Sequence, residues 1–214
     1  MTEDQQSGMA PRSFLTCVTE VARLLGVEDF AIEPDDRYAR SLALALRKPL
    51  LEREWLSEEM FAPLMAAAVY DPDPSHCRWF VEPALYAFGR RRVMAALVDR
   101  LRNGTDAERA GAVRAWYSTH FTLRADRSPA YGPGGVRDPA LDESDDIEDA
   151  WLEASMRVFA ETTDLRMRHR VLLALPSSPT AYPPRLHELF ESTLASARAH
   201  PDRHIRGWAA GDGV

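Results

Sequence analysis

A chain of 214 residues, 45% of them hydrophobic, has enough apolar material for one domain with a continuous core. It contains no run near the roughly 18 apolar residues that a spanning helix needs, and its longest candidate, Phe61 to Tyr70, is read as broken by Pro63. A formal charge of −7 weighs against nonspecific binding to nucleic acid or to an anionic membrane.

The first eleven residues are polar and acidic and read as a disordered tail, not a secretory signal. Residues 12–214 read as a single domain. Cys17 and Cys77 lie far apart in sequence. In a chain without an export signal both are expected to be small buried hydrophobes, which points to the cytoplasm. Lys48 is the only lysine. Positive charge carried almost wholly by arginine suggests a GC-rich bacterial genome as much as a chemical need for guanidinium. The charge is uneven. From Arg78 to Arg124 nine arginines face four acids, whereas from Ala125 to Ala150 two arginines face eight acids.

Apolar residues recur at helical spacing along the chain. Phe14, Val18, Val21, Ala22 and Leu25 make one stripe, closed by Gly26 as a C-terminal cap. Tyr38, Leu42 and Leu46 make a second, predicted to stop before Pro49. Ser57 with Glu58 and Glu59 reads as a helix start, followed by Met60, Phe61, Leu64, Met65 and Ala68. Val93, Leu97, Val98 and Leu101 mark a helix ended by Asn103 and Gly104. Ile147, Trp151, Leu152, Met156 and Phe159 mark the next, and Pro183 and Pro184 open the last long one. Nothing alternates with period two over strand length, so no sheet is expected.

The most informative feature is internal similarity. Residues 164–168 and 202–206 both read Asp-x-x-apolar-Arg and both follow a long amphipathic stretch. Asp106 holds the same place before Val113 and Trp116, and Asp73 before Phe80, Leu85 and Phe88. A turn aspartate between two antiparallel helices accepts bonds from the free N–H groups that open the second helix.

This pattern resembles the HEAT and HEAT-like helical repeats, in which a turn aspartate ends the first helix and an apolar-Arg dipeptide opens the second. The resemblance spans about residues 57–210, as four repeats near 57–89, 90–123, 142–176 and 183–210. The second repeat has Ala110 where the arginine belongs, and the first has no matching arginine. The resemblance implies an all-α fold, an α-solenoid of stacked antiparallel helix pairs, with the first two helices as an N-terminal cap. An insertion at 125–142, rich in Pro and Gly, separates the second and third repeats. It reads as a flexible linker, with a partner-contacting loop as the alternative.

Catalytic signatures fail one by one. Gly132, Gly134 and Gly135 lack the Lys-Ser/Thr of a phosphate loop. His187 and Glu188 resemble the start of a zinc-protease helix, but Glu191 stands where the second histidine belongs. His200 and His204 have ligand spacing but no third ligand, so they read as exposed turn residues, and no metal or other cofactor is expected. No nucleophile-elbow motif orders a Ser-His-Asp triad.

The leading reading is therefore a non-catalytic protein-binding or adaptor module that docks an acidic partner on a concave solenoid surface. The residues assigned to that contact are Arg90, Arg91, Arg92, Trp116, Tyr117, Arg124 and Arg166. Trp116 and Tyr117 are chosen because two adjacent helical aromatics cannot both face one core. Of the five tryptophans, Trp55, Trp79, Trp116, Trp151 and Trp208, several fall near matching repeat positions and are read chiefly as packing between repeats, with an aromatic-lined concave groove as the alternative. In size and in Trp, Asp and Arg content the chain is also similar to HEAT-like bacterial DNA glycosylases, which act from a basic concave cleft, although no motif aligns. A third class is a subunit, or an inhibitor, within a larger bacterial assembly.

Overall fold

The computed structural model describes residues 13–27, 36–53, 55–124 and 138–211. The N-terminal tail and residues 125–137 of the insertion lie outside them. Among the described residues the chain is all-helical, with ten α-helices and no strand. No helix there is long and apolar enough to cross a membrane.

Helix α1 (Phe14–Leu25) begins at Ser13, whose hydroxyl accepts from the Thr16 N–H at 3.1 Å. It ends at Gly26, which adopts the left-handed φ of 66° that a side chain resists. The predicted stripe of Val18, Val21, Ala22 and Leu25 is buried. Helix α2 (Asp36–Glu52) does not stop before Pro49. Leu46 and Leu50, one turn apart and both buried, clamp the segment to the core on either side of the proline. Pro63 likewise breaks nothing. It sits in the first turn of α3 (Phe61–Tyr70), where proline's fixed φ suits the helix. Helix α3 carries no charge and is buried from Pro63 to Val69.

Helices α4 (Arg78–Phe88), α5 (Arg90–Asn103), α6 (Asp106–Trp116), α7 (Asp145–Glu161), α8 (Leu165–Leu173), α9 (His187–Arg198) and α10 (Arg203–Ala210) follow. The intervals read as four repeats each hold one helix pair: α3 with α4, α5 with α6, α7 with α8, and α9 with α10. Their turns separate into two kinds. Asp164 and Asp202 cap α8 and α10, accepting from Arg166 N–H at 2.9 Å and from His204 and Ile205 N–H at 2.9 and 3.1 Å. Asp106, by contrast, is the first residue of α6 rather than its cap. Thr105 takes that role in a capping box with Glu108, because its hydroxyl sits one residue earlier, where it reaches the third N–H. Asp73 does not cap α4 either. It accepts from Ser75 N–H at 2.8 Å and closes a separate turn four residues upstream.

The extensive helix contacts join a pair to itself or to the adjacent pair. The first helices touch in the order α1, α3, α5, α7, α9. The second helices touch as α2 with α4, α4 with the 3₁₀ turn Tyr117–His120 that ends α6, α6 with α8, and α8 with α10. Between the second and third pairs the spacing tightens. Gly111 of α6 lies so close to α3 that an added Cβ would fall 1.9 Å from the Val69 carbonyl oxygen. A polar node locks the same junction: buried Asp71 takes both Nη atoms of Arg40 at 2.6 and 3.0 Å, and Arg114 donates to the Asp71 carbonyl.

The end of the insertion is more regular than its composition suggests. Pro139–Leu141 forms a 3₁₀ turn capped by Asp138, and Asp142 accepts from the Arg90 N–H that opens α5. The turn packs against Gly89, whose φ of 88° and contact with Leu141 both require the absence of a side chain.

Candidate partner-binding face

The two rows of helices differ in charge. The second helices α2, α4, α6, α8 and α10 carry twelve Arg or Lys against five Asp or Glu. The first helices carry eight against ten. Ion pairing sharpens the contrast. In the first row five of the eight cations reach a carboxylate: Arg91, Arg92, Arg100, Arg102 and Arg157. In the second row only Arg40, Lys48, Arg78 and Arg109 do so among the described residues. Arg37, Arg47, Arg114, Arg166, Arg168, Arg170, Arg203 and Arg206 have no carboxylate partner there.

The residues singled out from sequence fall into different settings. The three consecutive arginines are spent internally. Arg90 donates to the carbonyls of Thr119 and Phe121, Arg91 grips Asp146 with both Nη atoms, and Arg92 grips Glu58 while lying over the ring of Phe61. The guanidinium groups hold the Glu58 and Asp146 carboxyls below their usual range, chiefly by hydrogen bonding. Part of the arginine-rich stretch is thus neutralised by the acidic stretch that follows it.

Trp116 is buried and stacks on Trp151, with centroids 4.0 Å apart and planes within 3°. Adjacent Tyr117 is 79% exposed, so the two aromatics do point to different surroundings. Trp79 and Trp208 are half-buried and Trp55 is exposed, so packing between pairs accounts for Trp116 and Trp151 more fully than for the rest. The Arg124 N–H donates to the Tyr86 hydroxyl at 2.9 Å, and Arg124 has further interactions. Arg166 is exposed. With Arg170 it borders a hollow of about 250 Å³ between α6 and α8, whose other walls include Asp106, Ala110 and Met167.

A second hollow, of about 290 Å³, lies between α8 and α10. Leu172 and Ile205 form its buried floor, Leu173 and Trp208 its walls, and His169 and His204 its polar edge. His169 bonds through Nε2 to Asp202 Oδ1 at 2.9 Å. That bond, with the two backbone N–H groups of the cap, holds the Asp202 carboxyl down at about 2. Trp208 is fixed by an Nε1–H bond of 3.0 Å to the Leu175 carbonyl.

No protein-family model, curated protein or solved structure matches this chain.

His200 and His204 do not converge. His200 lies against Arg168 Nη1 at 2.9 Å, while His204 packs edge-on to His169. No three His, Cys, Asp or Glu among the described residues come together as a metal would require. His187 Nε2 bonds the Tyr182 carbonyl at 2.9 Å. The α8–α10 hollow has no distinct signal in the sequence: Val171 and Leu172 are adjacent and both buried while Leu173 is exposed, so adjacency does not tell which leucine faces outward.

Proposed function

We propose that the chain is a non-catalytic binding module: a HEAT-like α-solenoid, capped by α1 and α2, that holds an acidic protein partner on the row of its second helices. The observation that carries this reading is the set of eight second-row cations with no carboxylate partner among the described residues; Arg114, Arg168 and Arg206 are held by backbone carbonyls, which leaves Arg37, Arg47, Arg166, Arg170 and Arg203 for a partner. The extensive helix contacts among the described residues fall within a pair or between neighbouring pairs, which supports the stacked architecture, and in such a stack one row of helices forms an extended partner surface. Uncompensated arginines on that surface favour encounter with an acidic chain and select against basic ones. Guanidinium also suits carboxylate, which it meets with two parallel donors.

The test is fluorescence anisotropy with labelled poly-L-glutamate. Binding is expected to weaken steadily as salt rises, and to fall about tenfold when Arg166→Ser and Arg170→Ser are combined. Equal affinity of the double variant, or a preference for poly-L-lysine, overturns the reading. The same basic row favours one other reading, a HEAT-like DNA glycosylase, which the overall charge of −7 opposes. Salt-sensitive binding to duplex DNA with release of an alkylated base would establish that reading in place of the first.

A further inference from the structure

We propose that the hollow between α8 and α10 is the anchoring pocket of this face, and that it takes an apolar side chain from an acidic amphipathic peptide segment of the partner. The inference rests on the binding function proposed above and assigns where and how that contact is made.

Leu173 is 75% exposed although its neighbours Leu172 and Leu175 are buried. One exposed leucine needs no explanation. Here it forms a wall of a concave site, opposite Trp208, over a floor of Leu172 and Ile205. The site is also held open by fixed partners. The Trp208 indole is tied to the Leu175 carbonyl, and His169 is tied to the aspartate that caps α10. A pocket whose walls are already positioned loses little freedom when it is filled.

The charge comes from the same helix. Arg166 and Arg170 are one turn apart on α8, and Leu173 follows three residues later, so all three share one stripe. Neither arginine meets a carboxylate among the described residues. Asp106 and Asp164 line the α6–α8 hollow beside these arginines without pairing with either guanidinium, so both guanidinium groups keep their donors for a partner's carboxylates. A segment lying along α8 with a large apolar residue in the hollow would set its neighbouring carboxylates over Arg166 and Arg170. Helix-in-groove recognition of this kind needs one or two anchors and a complementary rim.

The experiment is selection of a random 12-residue display library on the full chain, followed by anisotropy with the recovered peptides. Recovered sequences are expected to pair a large apolar residue with flanking Asp or Glu. Leu173→Glu should weaken them about tenfold or more with an unchanged circular dichroism spectrum. Leu44→Glu, at a leucine of α2 that is also exposed, should leave them unaffected. Acidic peptides that bind the Leu173→Glu protein as tightly as the wild type, or a library that yields no binder, overturn the pocket and leave the proposed function standing. Binders without acidic enrichment that ignore the Arg166→Ser and Arg170→Ser changes overturn both. A concentration-dependent dimer abolished by Leu173→Glu would assign the hollow to a second copy and overturn the peptide occupant.

Discussion

Asp71 shows how much one side chain can settle. It is completely buried, yet no motif singles it out in a sequence where it merely ends the apolar stretch of α3. Its carboxylate meets Arg40 in a two-bond pair and accepts the Asp73 N–H, so α2 and the turn after α3 are joined through one residue. Arg40 in turn lies over the rings of Phe14 and Trp79. Asp71→Ala would strand a half-buried guanidinium and leave a backbone donor unpaired, so urea unfolding should show a loss of about 3 kcal/mol. A loss below about 1 kcal/mol would mean that the pair behaves like an exposed one. Asp202 offers a test by pH. Its folded pKa of about 2 lies below its ordinary value of 3.8, so its charge contributes stability above the ordinary value. That contribution is lost as pH falls from near 4 toward 2. Asn also caps a helix well, so Asp202→Asn removes the charge and keeps the cap. The stability gap between wild type and Asp202→Asn should be constant at neutral pH and close across that acid window. A gap that persists at pH 2 would show that the charge on Asp202 is not its source.

Helix starts are where elements were read correctly but for partly wrong reasons. The repeated aspartate marks four turns, and a second helix follows each, yet only Asp164 and Asp202 bond the N–H groups of that helix. At α6 the bonding falls to Thr105 and Glu108, and Glu108 also receives Arg100 at 2.6 Å and the Tyr70 hydroxyl at 3.1 Å. Thermal or urea unfolding should therefore separate the two neighbours. Thr105→Ala is expected to cost about 1 kcal/mol and Asp106→Ala less than about 0.5 kcal/mol; the reverse order would return the cap to the aspartate. Apolar spacing makes the stripes of α1, α5, α7 and α9 legible, whereas α3 is buried at every residue from Pro63 to Val69 and has no such stripe. The prolines misled for an identifiable reason. Intrinsic preference sets Pro49 and Pro63 against a helix, whereas their effect depends on position within it and on the burial of Leu46, Leu50 and Leu64 beside them. The binding residues were less legible still. Arg90, Arg91 and Arg92 form the most conspicuous basic run, but their partners Thr119, Phe121, Asp146 and Glu58 lie 29 to 55 residues away, beyond the reach of any local pattern. Arg166 and Arg170 are conspicuous only once α6, α8 and α10 are seen side by side.

At the scale of the molecule, stacking and a single shared core predict different responses to damage. The α9–α10 pair packs on α7 and α8, and the α1–α2 pair packs on α3 and α4. If stability is a sum of pair terms and interface terms, as in repeat proteins, an injury at one end should spread only as far as coupling between neighbours carries it. Phe190 is the place to apply it, being fully buried in α9 against Tyr182 and Trp208. Phe190→Ala should cost about 3–5 kcal/mol locally. Native-state hydrogen exchange should then show lost protection in α9 and α10, a smaller loss in α7 and α8, and none in α1 and α3. The Trp116–Trp151 stack couples the third and fourth pairs directly, so a small loss should carry across that boundary into α5 and α6 before protection recovers toward α3. Uniform loss across all ten helices would mean one cooperative core, and the proposed solenoid would give way to a globular bundle. The extended basic face would be lost with it, because a row of second helices serves as a docking strip only where successive pairs repeat the same orientation.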